Sequence, residues 1–121
     1  MLVRAIRGAI TVPENTKEAI LGGTKELLLE ILKRNDIKTD DLISIIFTMT
    51  NDLNAVFPAV AAREIGLTDV PLMCTNEIAV PGSLNNCVRI LLHFNTEKTN
   101  NDLVHIYLKG ASVLRPDLSC K

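Results

Sequence analysis

The segment Cys87-Val-Arg-Ile-Leu-Leu-His-Phe94 decides the fold. It is apolar enough for a buried helix, yet it alternates strictly. Cys87, Arg89, Leu91 and His93 fall on one face, and Val88, Ile90, Leu92 and Phe94 on the other. A period of two marks a strand whose faces meet different surroundings. The same period runs through residues 2–12, where Val3, Ala5, Arg7 and Ala9 share a face. Isoleucine-rich residues 42–50 read as a buried strand, and residues 70–73 as a short one. A further strand is expected at 103–109, beyond a loop through Asn100 and Asn101, and a last extended piece at 112–114.

Helices fill the gaps. Asn15-Thr-Lys-Glu18 has the form of a capping box opening a helix. That helix should run to about residue 33, with Ile20, Thr24, Leu27, Leu28 and Ile31 as its core stripe. Gly22 and Gly23 each cost up to ~1 kcal/mol relative to alanine, so irregular first turns are expected. A short helix follows over residues 58–65, with Pro58 in the first turn, where its missing N–H is not needed. Pro81-Gly82 marks a turn. Several strands and two main helices define an α+β fold with a mixed β-sheet, read as one domain over residues 1–121.

Composition excludes several function classes. The formal net charge is −1 with no basic cluster, which argues against nucleic acid or an anionic membrane as partner. Apolar runs such as residues 42–47 are far too short to span a bilayer. The N-terminus enters a charged strand-like segment at once, without a signal-peptide pattern. Three cysteines, Cys74, Cys87 and Cys120, form no Cys-x-x-Cys pair, and His93 and His105 lie apart. A disulfide framework and a structural zinc site are therefore not expected. The reading is a cytoplasmic protein with no metal and no cofactor. An apolar share of 47% is in keeping with an oligomer.

The usual catalytic devices are missing: no Gly-rich phosphate loop, no Gly-x-Ser-x-Gly elbow, no His-Glu-x-x-His. What stands out is arginine within strands, Arg7 and Arg89, each sharing a face with apolar residues. Such arginines either reach a strand end or pair with a carboxylate, or they line a cleft for a dianion, since guanidinium grips carboxylates bidentately.

Read together, whole segments resemble a known family. Arg4-Ala-Ile-Arg-Gly-Ala9, Ala55-Val-Phe-Pro-Ala59 with Arg63-Glu64, Val70-Pro71 and Cys74-x-x-Glu77 are similar to the AroH-class chorismate mutases. So are Arg89 in its apolar strand, His105-x-Tyr107-Leu108 and Val113-Leu-Arg-Pro-Asp-Leu118. The matches run in order across nearly the full chain.

The resemblance implies a homotrimer of pseudo-α/β-barrel appearance with active sites in the clefts between subunits, and chorismate as the small-molecule substrate. It implies an isomerase of the shikimate pathway that carries out the pericyclic conversion of chorismate to prephenate. Position by position, it assigns Arg7, Arg89, Tyr107, Cys74 and Glu77 to the site. Phe57, Ala59 and Arg63 match the segment forming the cleft wall, and Leu114 matches a residue closing the pocket. Catalysis would fall to Arg89, Arg7 and Glu77. Cys87 is left structural, and Arg4 and Arg115 receive no substrate contact.

Two departures stand out. Val60 occupies a position where family members can carry lysine, and the tail ending Ser119-Cys120-Lys121 is short. No room is seen for an appended regulatory domain. The rival readings are a trimeric Rid-type enamine or imine deaminase, whose motifs have no counterpart here, and a non-catalytic protein that binds a small carboxylate.

Overall fold

The computed structural model describes residues 1–114. The first strand, β1 (Leu2–Thr11), lies inside the sheet and leads into helix α1 (Lys17–Arg34). Strand β2 (Leu42–Met49), helix α2 (Ala59–Glu64), strand β3 (Leu72–Asn76), strand β4 (Cys87–Thr96) and the short β5 (Ile106–Leu108) follow. The strands pair in the order β3-β2-β4-β1-β5. Pairs β1–β4 and β2–β4 are antiparallel, whereas β1–β5 and β2–β3 are parallel. The sheet is mixed and carries two helices, as the sequence pattern leads one to expect.

Alternation along the strands separates two faces. Ile6 and Ile10 of β1, Ile45 and Phe47 of β2, and Val88, Ile90, Leu92 and Phe94 of β4 are buried in the main core. Helix α1 lays Ile20, Leu27, Leu28 and Ile31 into that core, so the expected stripe is the buried one. Each such side chain contributes roughly 1.5–3 kcal/mol of transfer free energy. Gly8 is required where α1 and β5 converge. A Cβ there would sit 2.8 Å from Ile31 Cδ1 and 3.0 Å from the Ile106 carbonyl oxygen.

Several boundaries differ from expectation, each for a local reason. The N-cap of α1 is Thr16, whose hydroxyl accepts from the Ala19 N–H, and not Asn15. Asn15 is drawn away by the loop at 54–55: its Oδ1 accepts from the N–H groups of Asn54 and Ala55. Despite its glycines α1 is continuous; Gly23 lies against the end of β1, where an added Cβ would come within 2.6 Å of Val12 Cγ1. Strand β3 starts later than residue 70 and runs to Asn76, in register with β2.

Strand β5 is only three residues long, and the extended piece expected at 112–114 is absent. The chain instead turns through a left-handed Lys109 (φ 55) into a 3-10 turn at Lys109–Val113. The Gly110 N–H donates to Thr11 Oγ1, which ties that turn back onto β1. Gly82, with φ 84, confirms the Pro81-Gly82 turn. Residues Arg115 to Leu118 of the closing motif, and Cys120, lie outside the described residues. No helix among the described residues is long and apolar enough to cross a membrane.

Candidate active site

The face of the sheet turned away from the helices carries the polar residues. The register places Thr48 of β2 opposite Arg89 of β4, Arg89 opposite Ala9 of β1, and Ala9 opposite Tyr107 of β5. These four form one row across four strands. Neighbouring strands lie about 4.8 Å apart, so the small Ala9 leaves open the gap over which Arg89 and Tyr107 face each other. Arg7 is two residues before Ala9 on the same face, opposite Leu91. A cavity of about 220 Å³ is lined by Arg7, Thr48, Glu77, Arg89 and Tyr107, with Ile46 and Leu91 as its apolar floor.

Glu77 is placed by backbone. Its N–H donates to the Met49 carbonyl at 2.9 Å, which prolongs the β2–β3 pairing by one bond and turns the side chain toward β4. Arg89 Nε then meets Glu77 Oε1 at 2.7 Å. Arg89 thus has a carboxylate partner and also lines a cavity. Glu77 takes the Nε–H of its guanidinium, which carries four further N–H donors, with the Cys87 thiol among their neighbours. Arg7 is fixed at the main chain, where its N–H donates to His105 Nδ1 at 3.0 Å.

Tyr107 is 5% exposed and packs with Ala9, Cys87 and Ala111, against which Leu84 and Leu114 also lie. Leu114 joins Glu77 and Arg89 in an adjoining cleft, beside the 78–85 loop. Cys87 sits beneath the site. Burial pushes its thiol above the ordinary value near 9, against the lowering pull of the Arg89 charge and an Arg89 hydrogen bond. A thiol with a raised folded pKa holds its proton more tightly folded than unfolded. Its contribution to stability is intact below the unfolded pKa and lost as pH rises through the folded one. Stability is thus expected to fall as pH is raised past about 9, and Cys87→Ala to flatten that fall. Urea unfolding of both proteins at neutral and alkaline pH measures it.

The remaining sequence candidates lie elsewhere on the chain. Cys74 is in register with the fully buried Phe47 and so points to the helix side of the sheet. There it lines a second cleft of about 500 Å³ with Phe57, Leu53 and Pro58. Phe57 is 70% exposed at the rim of that cleft. Ala59 is buried at the start of α2, and Arg63 is exposed near its end. One chain therefore presents two separate groups: Arg7, Glu77, Arg89, Tyr107 and Leu114 on one surface, and Phe57, Cys74 and the α2 residues on another. Sequence reading missed Thr48 and Ala9, for which only the alternation of β1 and β2 was a signal. Among the described residues, no group of three or more His, Cys, Asp or Glu side chains is placed to hold a metal ion.

Comparison with known proteins agrees with this fold. Residues 3–118 match the model of the family described as chorismate mutase type I. The chain is 50% identical over 118 residues to chorismate mutase AroH of Thermus thermophilus, covering 97% of each protein. It is 43% identical over 120 residues to chorismate mutase AroH of Bacillus subtilis, covering 98% of this chain and 94% of that one. Among solved structures, a chorismate mutase from Clostridium thermocellum superposes with a TM-score of 0.90 at 54% identity, over 91% of this chain and 98% of the other. On this agreement in sequence and fold, the chain belongs to the type I chorismate mutase family.

Proposed function

We propose that this chorismate mutase works by conformational restriction and electrostatic stabilisation, in a cleft completed by a second copy of the chain. The rearrangement of chorismate to prephenate breaks a C–O bond and forms a C–C bond within one molecule. No proton moves in that step, so neither an acid, a base nor a nucleophile is needed. Two demands remain: the substrate must be held in its folded, chair-like conformer, and charge separation in the transition state must be stabilised.

Arg7 and Tyr107 meet the first demand by fixing carboxylates. Arg89 meets the second. As the C–O bond stretches, the ether oxygen gains negative charge, and a fixed cation binds it more tightly in the transition state than in the ground state. Arg7 assists, and Glu77 lies on the side where the ring fragment becomes positive. Cys74 and Glu77 orient the ring hydroxyl. The observation that carries the reading is the convergence of Arg7, Tyr107 and the Glu77-held Arg89 on one cavity.

The two separate groups of candidates support a cleft shared between copies, and the family resemblance makes the assembly a homotrimer. The surface bearing Phe57, Ala59, Arg63 and Cys74 on one copy faces the arginine surface of the next, with Leu114 closing the pocket. Incubation with chorismate should consume its ultraviolet absorbance and yield prephenate, at nearly equal rates in H₂O and D₂O. Light scattering should give a trimer. The shared cleft has its own test in subunit complementation. Arg89→Ala and Arg63→Ala proteins, each impaired, should regain activity when co-refolded, because some clefts then combine two intact surfaces. A mixture no more active than its components places the whole site within one chain.

A further inference from the structure

The Oγ1 of Thr48 is buried and has no hydrogen-bond partner among the described residues, the one such side-chain atom found there. Buried hydroxyls are nearly always paired, because an unmade bond costs the full desolvation of the group. Valine has the same shape and would leave nothing unpaired. The position is not remote from the chemistry. Thr48 lies directly across the β2–β4 ladder from Arg89, on the same face, and lines the same cavity. Directly opposed residues have their Cβ atoms about 5 Å apart, which puts a threonine hydroxyl beside the stem and Nε of an arginine.

The Arg89 Nε–H is held by Glu77 Oε1 at 2.7 Å. A substrate whose ring hydroxyl and developing positive charge engage Glu77 draws that carboxylate away. Nε–H then needs another acceptor if the guanidinium is to stay fixed. We propose that Thr48 is a positioning residue for Arg89: its unpaired hydroxyl accepts the Nε–H once Glu77 turns to the substrate, and so holds the terminal N–H groups on the reacting oxygen. The proposal rests on the role given to Arg89 above. No group among the described residues engages this hydroxyl, which leaves it able to make that bond in the occupied site.

Thr48→Val and Thr48→Ser test this. For Thr48→Val, kcat should fall about tenfold, the worth of one hydrogen bond to a charged group, with KM within about twofold. Its thermal midpoint should be no lower than wild type, since the lost group was unpaired. Thr48→Ser, which keeps the hydroxyl, should stay within about twofold of wild type in kcat. A merely structural threonine would lose stability first and would not be rescued selectively in kcat. A Thr48→Val enzyme with kcat near wild type, a loss confined to KM, or a serine variant as slow as the valine one overturns the proposal. If valine is not tolerated, Thr48→Ala carries the same comparison. Arg89→Ala measured alongside keeps the two ideas apart. An unimpaired Arg89→Ala enzyme removes the premise, whereas an impaired one beside an unaffected Thr48→Val enzyme removes only this inference.

Discussion

Replacing Arg89 by alanine is expected to lower kcat by about 10²–10³-fold or more, equivalent to ~3–4 kcal/mol of transition-state stabilisation. The size follows from preorganisation. Strand β4 is paired on both sides, with β1 and β2, so the backbone under Arg89 cannot relax toward the substrate. The Glu77 carboxylate holds the guanidinium before any ligand arrives, and the proposed hand-over to Thr48 keeps it fixed once Glu77 turns to the substrate. A cation fixed in advance needs no reorganisation during the reaction. Lysine keeps the charge but loses the planar fork and the Nε–H that meets Glu77, so Arg89→Lys should recover only part of the loss. Arg89→Ala also strips Glu77 of its partner, leaving a carboxylate to repel a dianion, so KM should rise as well. The double variant Arg89→Ala/Glu77→Ala separates the effects: removing the unpaired carboxylate should reverse part of the rise in KM, less the share that Glu77 gains from the ring hydroxyl, while kcat stays low. Steady-state kinetics on the four proteins of this cycle measures both terms.

The largest expected effect on stability is at Asn35, a residue that looks unremarkable in sequence. Its side chain is 1% exposed and serves as a clamp. Oδ1 accepts from the Val104 N–H at 2.7 Å, and Nδ2 donates to the carbonyls of Val104 and Ile31 at 2.9 and 3.0 Å. Its own carbonyl accepts from Lys98 Nζ at 2.8 Å. Thus the C-terminal end of α1 holds the chain that enters β5, two residues before Ile106. Asn35→Ala strands both Val104 backbone groups at about 1–3 kcal/mol each, for an expected loss of about 2–5 kcal/mol. Asn35→Asp should do no better. It keeps an acceptor for the N–H but sets a negative charge against two carbonyl oxygens. The shift in urea midpoint reads the loss. Because β5 carries Tyr107, the surviving folded enzyme should also show a raised KM.

These two cases show what was legible in the sequence. Arg89 announced itself because a charge interrupts an alternating strand, and period-two patterning settles which face each β4 residue takes. The stripe of α1 was equally readable, since helical spacing needs no knowledge of partners. Asn35 was not readable, because its partner Val104 is 69 positions away and nothing local marks the pair. The same distance effect moved the α1 cap from Asn15 to Thr16: both residues suit the position, and the loop at 54–55 decided between them. Cys74 and Glu77 are assigned to one site by the family resemblance, which does not say on which side of the sheet each stands. Pairing with Phe47 turned Cys74 to the opposite side of the sheet. At residues 109–113 the propensities allow extension, but left-handed Lys109 and the bond from Gly110 to Thr11 impose a turn.

The strand order has a consequence for biosynthesis. The first strand made, β1, pairs only with β4 and β5, from the last third of the described chain. While a ribosome is still synthesising the middle of the polypeptide, Ile6 and Ile10 have no sheet partner at all. The central ladder can form only after residues 87–108 have emerged, and contacts of such sequence separation form slowly. A nascent chain of this protein therefore spends most of its elongation with β1 unpaired by any other strand, and α1, made next, is the element that packs on it first.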